Sequence, residues 1–182
     1  AAFALPVPAP VSAQAWPTKP IRLVVGFAPG GVADVTARVV AQKLADQLGQ
    51  QVVVDNRPGA GGIVAAEAVA KAVPDGYTLL LMSNGNAVSA SLFKSLPFDT
   101  IADFAPVSTL GFFDVAVVAS TEAKIDSMKA LIAYAKANPG KLNIGTINVG
   151  STQHLSAELF RSMTGFDATV VPYKGSPAVI TA

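Results

Sequence analysis

The 182-residue sequence contains no cysteine and a single histidine. The first absence removes disulfide scaffolds, thiolate zinc sites, iron–sulfur ligation and thiol nucleophiles, and the second leaves no imidazole cluster for a metal. Charge is scarce as well: 14% of residues are Asp, Glu, Lys or Arg, against roughly 25% in an ordinary soluble domain. The 13 basic residues are scattered and the formal net charge is +1, so no basic stripe marks a nucleic-acid face. No run reaches the ~18–20 uninterrupted apolar residues that a membrane-spanning helix needs. What the chain has in quantity is apolar sequence, 51% by count, which excludes disorder and predicts a well-buried interior for one domain or slightly more.

Residues Ala1 to Ala15 are uncharged, with Ala13 and Ala15 fitting an A-x-A cleavage rule. Positions 1–15 are therefore expected to be the remnant of an export signal, cut to leave Trp16 as the mature start. The expected destination is the periplasm.

From residue 21 onward, short apolar runs alternate with helical patterns. Ile21 to Gly26 reads as a strand, followed by the breakers Pro29, Gly30 and Gly31 and then a helix closed by Gly49, with Val35, Val39, Leu44 and Leu48 as its apolar face. A strand at 51–55, an Ala-rich helix at 62–73, a turn at Pro74-Asp75-Gly76 and a strand at 78–83 complete a β-α-β-α-β unit. Asn84-Gly85-Asn86 reads as a break before a short helix at 87–94. A second unit follows, with a strand at 115–119, a helix capped by Ser127 and ended by Pro139-Gly140, a strand at 142–146, a helix at 152–163 and a strand at 168–172. Continuous apolar strands predict parallel sheets covered by helices on both faces. The expected division is a first lobe over 16–104 and a second over 105–182, the second incomplete because the sequence stops in the first turns of a helix.

Two glycine-rich strand-to-helix loops are the candidate binding elements. The first contains Phe27, Ala28, Pro29, Gly30, Gly31, Val32 and Asp34; the second contains Gly145, Gly150, Ser151, Thr152 and Gln153. Glycines there let the main chain approach a ligand, and uncapped N–H groups with a helix dipole behind them favour a carboxylate. Gly30 and Gly31 both read as positions for backbone approach, with Gly31 a place where φ > 0 would forbid a β-branched residue. Asp34 reads as a loop-ordering group or as the partner of a ligand ammonium. Asn84, beyond the third strand, is a further candidate. Ser151 in place of Lys rules out a phosphate-binding P-loop, Ala28 and Val64 break the dinucleotide fingerprint, and no G-x-S-x-G elbow is present. A Ser151–His154 pair is the one arrangement that could serve an exported carboxylate-processing enzyme, and it has no visible orienting carboxylate.

Six ordered motifs carry a resemblance. Phe27-Ala-Pro-Gly-Gly-Val-Ala-Asp34 with Arg38, Asp55-Asn-Arg-Pro-Gly-Ala-Gly-Gly62, Pro74-Asp-Gly-Tyr-Thr-Leu-Leu80, Asp103-Phe-Ala-Pro-Val107, Gly150-Ser-Thr-Gln-His-Leu155 and Val171-Pro-Tyr-Lys-Gly175 resemble the Bug family. These are the TctC-like solute receptors of tripartite tricarboxylate transporters. The resemblance implies a periplasmic-binding-protein-like (type II) fold of two α/β lobes. It implies no catalysis and no cofactor or metal. A small organic acid, whether di- or tricarboxylate, acidic amino acid or aromatic acid, is then expected in the interlobe cleft of a monomer, for delivery to transporter membrane subunits or, alternatively, presentation to a signalling partner. In the family the two loops grip one carboxylate largely through main-chain N–H groups. Departures are Gly145-Thr-Ile-Asn-Val149, bulkier than the usual second loop, and Gly175-Ser176-Pro177, one position shorter than in many members.

Overall fold

The computed structural model describes residues 15–182; the expected leader, apart from Ala15, lies outside the described residues. Three parallel strands, β1 (Ile21–Val25), β2 (Val52–Asn56) and β3 (Thr78–Leu81), form one sheet in the order β2-β1-β3. β1 takes the centre because its side chains are the most apolar and, Arg22 excepted, all are buried. Leu23 pairs with Val54 on one side and Leu79 on the other.

Helix α1 (Val32–Leu48) connects β1 to β2, and α2 (Ile63–Ala70) connects β2 back across β1 to β3. Parallel crossovers are right-handed, so two that travel in opposite directions put their helices on opposite faces. Leu23 and Val25 accordingly pack on Ala37 of α1 with Phe27, Val52 and Leu81 around them, while α2 lies against β1 and β3. Gly49 ends α1 in the left-handed conformation, and its N–H bonds the Ala45 carbonyl at 3.0 Å.

A second sheet is built from β4 (Leu142–Ile147) and β5 (Ala168–Tyr173), also parallel. Its helices are α4 (Met128–Ala137), α5 (Thr152–Thr164) and the five-residue α6 (Ser176–Ile180), and α3 (Asn84–Leu92) precedes them after the first sheet. Ala135, Phe166 and Ala168 form the centre of this core with Ile132, Leu142, Ile144 and Phe160. The Phe160 and Phe166 rings meet edge to face at 5.3 Å. Among the described residues, no helix is long and apolar enough to cross a membrane.

Several details differ from the sequence expectation. The buried face of α1 is Asp34, Ala37 and Ala41, whereas Val35 and Val39 are exposed, Val39 by 61%. Asp34 is held inward by polar partners, and that contact, rather than side-chain bulk, sets the rotation of the helix. The break expected at 84–86 is instead the first turn of α3, where the Asn86 carboxamide oxygen accepts from the Ser83 N–H at 2.9 Å and its hydroxyl at 3.2 Å. No strand forms at 115–119: residues 104–120 carry no ladder, with Phe112 at 92% and Val118 at 87% exposure. An apolar run becomes a strand only when its N–H and C=O groups have a partner edge, and no described strand lies beside this one. The helix expected at 62–73 ends at Ala70, and the strand expected to reach 83 ends at Leu81.

Candidate functional site

All strand-to-helix connections leave the carboxyl ends of parallel strands, and those of the two sheets meet. An ideal Cβ at Gly61 would stand 3.0 Å from the Val149 carbonyl, and one at Gly85 would stand 3.4 Å from the Gly61 carbonyl and 3.5 Å from that of Gly150. On the other side, Gly175 would meet Ala28 Cβ at 3.2 Å, Gly30 would meet Pro177 Cγ at 3.4 Å, and Gly31 faces Ser176 Oγ at 3.8 Å. The N-terminal ends of α1, α2, α3 and α5 therefore gather from both sheets around one place, and no side chain caps α1 or α2. Their first-turn N–H groups and aligned dipoles give this place a positive potential that suits an anion.

The first loop is shaped by Asp34, which is 3% exposed. Its Oδ2 accepts from the Gly30 N–H at 2.9 Å and from Arg38 Nε at 3.1 Å; its Oδ1 accepts from Asn56 Nδ2 at 3.0 Å and lies 3.0 Å from Arg38 Nη2. Asn56 also donates to the Phe27 carbonyl at 3.1 Å, tying the loop to the end of β2. The Arg38 guanidinium holds the Asp34 carboxyl below the ordinary carboxylate range; burial opposes this, and the Gly30 and Asn56 donors add to it. With both oxygens engaged by these donors, Asp34 orders the loop.

The other expected residues of this loop divide. Phe27 packs on the Leu23, Val25 and Ala37 cluster, Pro29 and Val32 are exposed, and Ala28, Gly30 and Gly31 line the gap toward the residue 175–177 turn. The left-handed residue is Gly30, at φ +83°, whereas Gly31 has φ −85°. The expectation that Gly31 needs positive φ is thus corrected, and its value lies in the space it leaves.

In the second loop, Gly150 adopts φ +83° and Ser151 caps α5, accepting from the His154 N–H at 3.1 Å. The Ser151 hydroxyl donates to the Ile147 carbonyl at 2.5 Å rather than to the His154 ring, so the two side chains form no nucleophile–base pair. Thr152 Oγ1 accepts from Asn84 Nδ2, joining α5 to α3. Gln153 is half-buried beside it. Gly145 is not in the loop: it lies inside β4, paired with Val171, and an ideal Cβ there would stand 3.1 Å from Val179 of α6. Around this loop, Thr146 Oγ1, Asn148 Nδ2 and His154 Nδ1 are buried without a hydrogen-bond partner. Each such group costs about 1–3 kcal/mol when left unpaired, so the loop favours an occupant or water that completes it.

Sequence reasoning gave no site role to Asn56, which donates to the Phe27 carbonyl and to Asp34, 22 residues away, and accepts from Arg38 Nη2 at 3.1 Å. It also quoted the Gly59 to Gly62 stretch only as part of a motif and gave it no site role, although four successive residues there have φ of +148°, +43°, +66° and +96°. Only a glycine-rich stretch follows that path, and the spacing Gly59-Ala-Gly-Gly62 was the available signal. Two surface concavities of about 490 Å³ lie away from the cluster, one against α5 at Glu158 to Asp167 and one under α3 at Ala87 to Ile101.

Two parallel α/β units whose helix N-termini converge on a shared gap form a place that suits a small anion. Residues 36–182 match the family model described as the tripartite tricarboxylate transporter family receptor, and the chain belongs to that family. It is 48% identical over 177 residues to protein BugT of Bordetella pertussis, covering 96% of this chain and 54% of that one. Among solved structures it is similar to R. palustris Rpa4515 with adipate, at 38% identity and TM-score 0.81, covering 91% of this chain and 56% of that one. It is also similar to MatC from Rhodopseudomonas palustris with bound malate, at 33% identity and TM-score 0.81, over 92% of this chain and 57% of that one. The fold is thus that of periplasmic solute receptors, and the chain spans about half the length of the curated relatives it matches.

Proposed function

We propose that this chain is the ligand-gripping portion of an extracytoplasmic receptor that captures a small organic acid between its two α/β units, residues 16–104 and 105–182, for a tripartite-type membrane transporter. The observation that carries the reading is the meeting of glycine-rich helix N-termini from both sheets. Main-chain N–H groups at the starts of α1 and α2 have no side-chain cap, and Thr146 Oγ1, Asn148 Nδ2 and His154 Nδ1 around the loop before α5 are buried without a partner. A carboxylate supplies the charge and the acceptors that this arrangement favours. Rpa4515 and MatC hold adipate and malate, both dicarboxylates, and the family description names a receptor. The leader-like residues 1–15 support a periplasmic location. Reversible capture without turnover is the chemistry proposed, since Ser151 and His154 do not engage each other.

Thermal unfolding with adipate, malate, glutamate and benzoate tests the reading. A ligand at one hundred times its Kd adds about 2.7 kcal/mol to stability, so one acid should raise Tm while its methyl ester does not. Equal response to acid and ester, or to none of the four at millimolar concentration, would overturn it.

A further inference from the structure

We propose that Asn84 and Thr152 form a latch between the two α/β units, setting how closely the helix N-termini approach, instead of contacting the ligand themselves. The proposal rests on the receptor reading for the position of the ligand and on separate observations for the latch.

Asn84 and Thr152 are each the first residue of their helix, α3 and α5. The Asn84 carboxamide N–H donates to the Thr152 hydroxyl oxygen, a bond that spans 68 residues and joins one sheet's unit to the other's. Bringing two helix N-termini together is unfavourable on its own, because each carries about half a positive charge. Something must offset that repulsion, and the side-chain bond does so in part. Beside it the main chains are in contact: the Gly61 Cβ position is 3.0 Å from the Val149 carbonyl, and that of Gly85 is 3.4 Å and 3.5 Å from the carbonyls of Gly61 and Gly150. No side chain larger than hydrogen fits at Gly61 without movement, so the seam is a backbone-to-backbone contact that a larger residue forces apart.

Latch and ligand therefore act on one equilibrium. An anion between the N-termini screens the same repulsion that the Asn84–Thr152 bond offsets, so breaking the latch lowers affinity by opening the gap and not by removing a ligand contact. The expected size is that of an exposed neutral hydrogen bond, a two- to fivefold change in the ratio of closed to open forms.

The test uses the complete 182-residue chain. Because it has no cysteine, exposed Lys43 on α1 and Ser162 on α5 can each be changed to Cys and spin-labelled, and the distance between units read by pulsed electron resonance. Asn84→Ala and Thr152→Val should each shift the population toward longer distances by about two- to fivefold, and the double variant should shift it no further. Thr152→Ser, which keeps the hydroxyl, should behave as wild type. Gly85→Val should lengthen the distance with the latch residues intact. A distribution unmoved by both single variants, with circular dichroism confirming the fold, overturns the latch. Titration with adipate separates the two readings. Lost adipate affinity at unchanged distance makes Asn84 and Thr152 ligand contacts and overturns the proposal. Variant-dependent distances in a chain that binds none of adipate, malate, glutamate and benzoate keep the latch and remove the receptor reading.

Discussion

Replacing Asp34 with Asn tests the geometry of the first loop most directly. Three donors hydrogen-bond the carboxylate, the Gly30 N–H, Asn56 Nδ2 and Arg38 Nε, and Arg38 Nη2, which donates to Asn56 Oδ1, lies 3.0 Å from Asp34 Oδ1 as an ion-pair contact. An amide turns one oxygen into a two-proton donor, and either orientation points that NH₂ group at two of these four nitrogens. The Arg38 pair is weakened by water, since its side chain is 54% exposed, and contributes under about 1 kcal/mol. The larger loss is one buried N–H, of Gly30 or Asn56, left without an acceptor, about 1–3 kcal/mol. The expected total is about 2 kcal/mol at pH 7, read by urea unfolding. The pH dependence carries a sign. The folded-state carboxyl lies below its ordinary value because of the Arg38, Gly30 and Asn56 donors, so its stabilising effect is complete above the unfolded value of about 3.9 and fades as pH falls through the folded one. The gap between wild type and Asp34→Asn should therefore be full at pH 6 and shrink below pH ~4. A variant within about 0.5 kcal/mol of wild type at pH 7, or a gap that ignores acid, would refute this cage.

Two further substitutions probe the crossing of the loops. Gly26→Ala places a methyl carbon 2.8 Å from Gly62 Cα, a backbone atom that cannot swing away, and should cost about 1–3 kcal/mol in urea unfolding; a neutral result would deny that the β1 and α2 connections touch. Gly31→Val meets no backbone conflict at φ −85° but projects into the gap facing Ser176, so adipate affinity by calorimetry should fall about tenfold, or 1.4 kcal/mol, with Tm nearly unchanged. Full affinity would move the ligand elsewhere.

Why some of this was legible in sequence and some not follows from the range of the forces involved. β1, β2, β4 and β5 are short apolar runs bounded by Gly, Pro or Asn, and both the breakers and the runs are local. The caps at Ser127 and Ser151 are local too, and both hydroxyls accept the N–H three residues on. The start of α3 was misread because Asn-Gly-Asn carries poor helix propensity, while the Ser83–Asn86 bonds that begin the helix depend on geometry. The face of α1 was misread because Val35 and Val39 outweigh Ala37 and Ala41 in bulk, whereas the rotation is fixed by Asp34 reaching Asn56 across 22 positions. The strand expected at 115–119 does not form because no described strand lies beside that run. Of the candidate site, the two glycine loops were visible as strand–breaker–helix junctions, but the Asn84–Thr152 bond and the Gly61–Val149 contact span too much sequence for any local pattern to reveal.

The bare stretch from Phe104 to Ser120 also governs how the chain behaves at high concentration. Phe112, Phe113, Val115, Val117 and Val118 stand in water, with Asp114 the one charge among them. The β4–β5 pair also offers two unpaired rims among the described strands. A β-prone segment without gatekeepers beside open rims is the arrangement that recruits neighbouring molecules into intermolecular ladders. Light scattering of this chain should rise steeply with concentration and salt, and a lysine at position 117, outside every contact described for the binding loops, should suppress that rise.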